Sequence, residues 1–184
     1  MFSPDNVAVL QAAAALVNTE PEASSSGTDE LTRVDDVARF FTGWAYTGRL
    51  ERTDLELERV RGLRSELRAY FEQPRDAIAE LVNVVLADAR AMPQLVRHDG
   101  IDWHVHAVPN DAPFDERIRV ETAMTMSDLV RMDEADRVKE CAADDCSAVL
   151  VDLSRNRSKR FCHVNNCGNR ANVSAYRARR AANL

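Results

Sequence analysis

Residues 141–180 read CAADDCSAVLVDLSRNRSKRFCHVNNCGNRANVSAYRARR, and all four cysteines of the 184-residue chain fall in this stretch. They form two C-x4-C steps, Cys141/Cys146 and Cys162/Cys167, separated by 15 residues. Two close pairs across such a spacer have the spacing of a four-thiolate metal site. The reason is geometric. A structural zinc ion takes four ligands in a tetrahedron with Zn–S near ~2.3 Å, and a closed loop delivers two at a time. The alternatives are free thiols or two disulfides, and disulfides belong to oxidising compartments.

Around the cysteines the sequence predicts a small framework. Cys141 and Cys146 sit on a tight loop, and the apolar, β-branched run Ala148–Leu153 reads as a strand. Ser154-Arg155-Asn156-Arg157-Ser158 is turn-prone, and Lys159-Arg160-Phe161 should return as a second strand that delivers Cys162. Residues 168–181 lack proline and are rich in alanine and arginine, so they predict a helix. A knuckle, a hairpin and a ligand-bearing helix make a treble-clef-like module. Its core is too small to fold unaided. Metal binding supplies the deficit, with about 10–16 kcal/mol measured for zinc-finger peptides. His163 is the alternative ligand to its neighbour Cys162; adjacent residues rarely aim at one ion, so the four-cysteine set is expected, with Zn2+ as cofactor.

The net charge of −6 conceals an asymmetry. From Val138 to Leu184 there are nine basic and four acidic residues, while the preceding stretch carries −11. From Ser154 onward eight basic residues occur with no acid. A basic tail on an acidic protein predicts an anionic partner for that tail. Arg155, Arg157, Lys159, Arg160, Arg170, Arg177, Arg179 and Arg180 are the candidate nucleic-acid contacts, and arginine forks onto phosphates and guanine edges. Arg170, Arg177 and Arg180 share one face of the predicted helix. The competing use of these arginines is pairing with the acidic body. Asn156 and Asn169 are expected to tie down the hairpin and the helix start.

The tetrapeptide Cys167-Gly168-Asn169-Arg170, with Ser154–Ser158 and the Cys141/Cys146 pair before it, resembles the CGNR zinc finger. Upstream, Leu16-Val17-Asn18-Thr19 and a helix–hairpin–helix order are similar to the ABATE domain that precedes this finger. The resemblance implies a bacterial, stress-associated transcription regulator whose finger binds nucleic acid, DNA being the expected form. It implies no particular ligand.

The rest of the chain predicts a helical body. Ser3-Pro4-Asp5 is a helix start, and Val7, Leu10, Ala13, Ala14 and Val17 share a face. That helix should stop by Asn18-Thr19. Residues 21–29 read as loop. A helix is expected over 34–46, with Val37, Phe40, Phe41 and Trp44 inward. Thr53-x-x-Glu56 suggests a capping box before the stripe Leu57, Val60, Leu63, Leu67, Tyr70 and Phe71. Another helix follows Pro74. Alternation over 101–107 predicts a strand, and Asp99-Gly100 predicts a hairpin turn back to 94–98. A last helix should begin near Phe114. The expected class is α+β and mainly helical: a body over 1–135 with one β-hairpin, then the finger over 136–184.

Function classes narrow accordingly. The chain has no P-loop, no dinucleotide fingerprint, no nucleophile elbow and no H-E-x-x-H, so no enzyme is expected. No apolar run spans a bilayer and the first residues lack a charged leader, so a cytoplasmic protein is expected. His104 and His106 are expected on a solvent-facing strand edge, and Trp44 and Trp103 in the core. The leading expectation is a DNA-binding regulator whose body senses a small-molecule effector or forms a homodimer. The alternatives are a small-molecule-binding protein with a purely structural finger, and an RNA-binding, protein-interaction or redox-sensing module. Asn18, Thr19 and Trp103 are the residues expected near a ligand pocket.

Overall fold

The chain is described by a computed structural model over residues 3–98 and 101–182. Ser3 caps α1 (Pro4–Val17), its Oγ accepting from Asn6 N at 3.1 Å. Of the expected α1 face, Leu10, Ala13, Ala14 and Val17 are buried and Val7 is half-buried, and Leu16 is buried beside them. α2 spans Val34–Gly43, shorter than the expected 34–46. The reason is local. Ala45 takes a left-handed φ of 54°, and Tyr46 N bonds back to Phe41 O at 3.0 Å, so the chain turns out of the helix. Gly48 continues that turn at φ 83°, where a Cβ would meet Asn110 at 2.3 Å.

α3 (Asp54–Glu72) carries its predicted stripe, and α4 (Arg75–Asp88) buries Ile78, Val82 and Val85, with Leu81 and Leu86 partly buried beside them. The capping box forms only in part. Thr53 Oγ1 accepts from Glu56 N at 3.2 Å, but the buried Glu56 carboxylate accepts from Glu51 N and Arg52 N instead. β1 (Gln94–His98) pairs antiparallel with β2 (Ile101–His106), Leu95 opposite Val105. Asp99 and Gly100, expected as its turn, lie outside the described residues. α5 (Phe114–Arg131) then packs along α1, α3 and α4. Phe114 is fully buried, with the Phe41 and Tyr46 rings edge-on, each 5.0 Å away.

The β1–β2 hairpin corrects two expectations. Trp103 is 63% exposed rather than core, and Trp44 is half-buried. His104 and His106 are half-buried rather than solvent-facing. With a period of two, burying one set of side chains exposes the other. Here the polar set points inward.

The last part is built on β3 (Val138–Glu140), which follows a 3-10 turn and pairs antiparallel with β4 (Val149–Val151). The expected strand over 159–161 does not form. Residues 152–159 instead curl around the buried Asp152 carboxylate. Its Oδ1 accepts from Ser154 N and Ser154 Oγ, and its Oδ2 from Lys159 N and Lys139 Nζ. Val138, Val149 and Val151 belong to the helical core, whereas Ala148 and Leu150 pack with the cysteines. α6 (Cys167–Ala182) closes the described chain. No helix among the described residues is long and apolar enough to cross a membrane.

Asn18 joins the two parts. At the end of α1 its amide donates to Val149 O at 2.9 Å and accepts from Val149 N at 2.8 Å, so it acts as one more strand residue on the edge of β4. Asn18→Ala should therefore leave a buried N–H and C=O unpaired and cost about 2 kcal/mol. In urea denaturation the midpoint should fall while the slope stays constant.

The acidic body spends its carboxylates on its own arginines. Asp29 grips Arg64 through bonds of 2.8 and 3.0 Å. The Arg64 guanidinium holds the Asp29 carboxyl down to about 2 against the opposing effect of burial. A depressed carboxyl stabilises the fold above its unfolded value of 3.8 and loses that contribution as pH falls towards about 2. Asp29→Asn should cost on the order of 2 kcal/mol at pH 7, shrinking by roughly half at pH 3. Paired denaturation curves at the two pH values measure it.

Candidate metal centre and basic helix

Three short features bring the cysteines together. Cys141 follows β3 directly, and its N–H bonds Ala148 O at 2.8 Å, closing the loop that also carries Cys146. Arg160 O accepts from Ala142 N at 2.8 Å, which lays the segment before Cys162 against that loop. Cys167 opens α6, preceded by Asn166 in a left-handed φ of 50°. The four Sγ atoms lie within 4.8 Å of one another. Cys162 Sγ is 3.7 Å from Cys146 Sγ and 3.6 Å from Cys167 Sγ. Four sulfurs around a zinc-sized ion sit ~3.8 Å apart, whereas a disulfide needs ~2.05 Å. All four cysteines are free, and their arrangement fits one tetrahedral metal ion.

The surroundings favour negative sulfur. Asn165 Nδ2 donates to Cys146 Sγ at 3.3 Å, Cys162 N to Cys141 Sγ at 3.4 Å, and Arg170 Nη2 to Cys167 Sγ at 3.1 Å. Burial nevertheless pushes the Cys162 thiol up to about 12 and raises Cys167 as well. Burial also opposes ionisation at Cys146. There the hydrogen bonds, led by Asn165, prevail and bring the thiol down to about 7. A bound divalent cation supplies the charge that lets all four ionise together.

The arginines divide into two groups. Arg170 forms a two-pronged pair with Asp145, at 2.6 and 3.0 Å, and so clamps the first cysteine loop to α6. Arg157 pairs with Glu134 at 3.0 Å and Asp136 at 3.2 Å, tying the 154–158 turn to the segment before β3. Lys159 is half-buried and donates to Val151 O. Arg160 lies beside the Phe161 ring. Arg155, Arg177, Arg179 and Arg180 are exposed. From Asn172 to Ala181 every residue of α6 faces solvent, including Val173 and Tyr176 at 42% and 58% exposure. Only the first turn of this helix is packed.

The structure separates the three expected pocket residues. Asn18 docks on β4, as above, and Thr19 bonds Leu16 O and Arg64. Both tie α1 to its neighbours, and neither is among the residues lining the cavity that Trp103 borders. Trp103 does line one, a cavity of about 480 Å³ in the helical body. Asn156 and Asn169 are exposed; the anchoring expected of them falls to Asp152 and Asn165. Asn165 also reaches Ala23 O at 3.0 Å, which fastens the metal site to the loop after α1. Its place between two cysteines was the only hint of this in the sequence.

Two family profiles match the chain. The CGNR zinc finger covers residues 137–180, and ABATE, described as "Putative stress-induced transcription regulator", covers residues 10–148. They overlap over the segment that holds β3 and the first cysteine pair. Comparison with curated proteins finds no match.

The four-sulfur site predicts one metal ion per chain. Cys162→Ser should lower the metal content of purified protein well below one equivalent. It should also remove most of the α6 signal from far-ultraviolet circular dichroism, leaving the helices of the body in place. Elemental analysis beside the spectrum checks both.

Proposed function

The chain belongs to the ABATE family, and on that premise we propose that it is a DNA-binding transcription regulator whose C-terminal arm is folded by zinc. Cys141, Cys146, Cys162 and Cys167 hold the ion. With four protein ligands a tetrahedral ion has no open position for a catalytic water, so the metal is structural and supplies no active site. Reduced thiolates suit the cytoplasm, where such a regulator acts.

One observation carries the DNA-binding reading: an acid-free basic helix, anchored by its first turn at the metal site, otherwise bare to solvent. An exposed helix of this kind fits a major groove or the flank of a phosphate backbone. The rival use of the basic residues was pairing with the acidic body. Among the described residues, two of the eight candidates, Arg157 and Arg170, pair with acids. Both hold the arm together. Arg155, Arg177, Arg179 and Arg180 remain for phosphates. The cavity in the helical body supports a sensing role for that part, with a small-molecule effector.

A salt series tests the reading. Affinity for a random DNA pool should fall steeply between about 50 and 200 mM salt. In Arg177→Ala/Arg180→Ala protein the slope of log affinity against log salt should be shallower by about 2. Stripping the metal should abolish binding. Tighter binding to RNA than to DNA would reassign the partner, and an unchanged slope in the double variant would remove α6 from the interface.

A further inference from the structure

The cavity of about 480 Å³ lies between α1, α5, the 44–47 turn and the β1–β2 hairpin. That is the size of a small-molecule site, and such sites are mostly apolar with a few placed polar groups. Trp44, Tyr46 and Trp103 supply aromatic walls, and Ala8, Val9 and Ala12 of α1 an aliphatic one. Its polar groups are unequal. Arg117 is buried and spends its donors on carbonyls: Nε on Ala112 O at 3.2 Å, and the two Nη atoms on Thr47 O and Arg49 O. It also lies 5.4 Å from the Phe114 ring centre. It is a clamp on the 47–49 loop. Asp128 accepts from Asn6 and Arg131. His104 and His106 share a 3.0 Å contact between their Nε2 atoms, and His104 Nδ1 donates to Asp102 O.

Glu121 differs from all of these. It lines the cavity one helical turn beyond Arg117, and no hydrogen bond or ion pair holds its carboxyl among the described residues. Burial pushes this carboxyl up to about 7, outweighing the attraction of Arg117 and His104. A half-buried carboxylate that faces a cavity is open to a ligand, and an aromatic-walled space beside it suits a cation. We propose that this cavity binds a small organic cation, its ammonium group on the Glu121 carboxylate and its apolar body against Trp44, Tyr46 and Trp103. The proposal deepens the sensing role given above by naming the class of effector.

The groups facing Glu121 set the pH dependence. They are Arg117 on its own helix, His104 on the hairpin and Tyr46 on the turn; His106, Asp128 and, from α1, Asp5 stand at the same cavity. Raising the pH ionises Glu121, and that change favours a cation.

The chain's two tryptophans both line the cavity, so intrinsic fluorescence reports the site directly. The experiment titrates the metal-loaded full chain with benzyltrimethylammonium, a fixed-charge probe, and with benzyl alcohol and benzoate as neutral and anionic matches. The cation should change the emission and bind at least about tenfold tighter than either match. Its Kd should fall about tenfold from pH 6 to pH 8 as Glu121 ionises. Glu121→Gln keeps the shape and removes the charge, so it should lose that advantage and its pH dependence. Its thermal midpoint at pH 8 should be no lower than the parent's, which separates lost binding from lost folding. No emission change at about 10 mM cation, benzoate binding as well as the cation, or unchanged cation affinity in the folded variant would each overturn the proposal. No nucleic acid enters the measurement, so this outcome is independent of whether the basic arm binds DNA.

Discussion

The pleat of one short hairpin joins the two halves of this protein. β3 and β4 are three residues each, too little to be stable as an isolated pair. They persist because their alternate side chains belong to different cores. Val138, Val149 and Val151 complete the helical body, and Ala148 and Leu150 cover the cysteine cluster. A strand slip of one residue would exchange these sets and expose both cores at once. Asn18 fixes the register by taking both backbone groups of Val149. The metal site therefore does not hang from the body on a linker. It is built on a strand that the body has already packed.

Charge is partitioned by the same architecture. Arginines of α3 bind acids from distant segments: Arg59 takes Glu51 and Asp115, Arg64 takes Asp29, and Arg68 takes Glu20. These pairs are partly shielded, and they pin loops onto the longest helix of the body. Acidity here serves internal geometry. The arm has few acids, and of those near it Asp145 is taken by Arg170 while Glu134 and Asp136 are both taken by Arg157, each contact fixing an element in place. What remains on α6 is positive charge with no internal counterpart nearby in sequence. Formal charge alone overstates this, since four thiolates on a divalent cation carry −2. The field is strongest beyond the first turn, away from the sulfurs.

How much of this was legible in the sequence depends on range. Helix existence and faces followed from three-four spacing, and the cysteine pairs from their own spacing, because those signals are local. The misplacements turn on contacts that residue spacing does not encode. Nothing near Ala148–Leu153 says that its partner precedes the first cysteine rather than follows it. Both 138–140 and 159–161 are short and basic-containing, and Asp152 decides between them by gathering the second into a loop. Thr53 and Glu56 looked like a reciprocal cap, but a buried carboxylate took two better-placed N–H groups upstream. The β1–β2 hairpin alternates cleanly, yet alternation does not say which set faces in. Hydropathy pointed to Trp103 and Val105 as the inward set, yet His104 and His106 are the less exposed pair, and all four residues line the cavity. Of that cavity only Trp103 was expected, because its walls come from four separated segments.

α1 is the element that the cavity and the arm hold in common. Asn6, Ala8, Val9 and Ala12 line the cavity from one side of this 14-residue helix. Its last turn sets Asn18 against β4, and the loop that follows offers Ala23 O to Asn165 beside Cys146. α1 is buried along Leu10, Ala13, Leu16 and Val17, so it moves as a rod or not at all. A shift at its cavity end reaches the strand that carries the metal loop without crossing any flexible segment. Physical continuity alone does not establish coupling; that requires a ligand with different affinities for two positions of the rod. The architecture does limit where such a difference can act. It must alter the seat of α1 against α5, the two hydrogen bonds at Val149 or the bond from Asn165 to Ala23 O, because those are the places where the cavity wall and the arm are fastened to the same piece of chain.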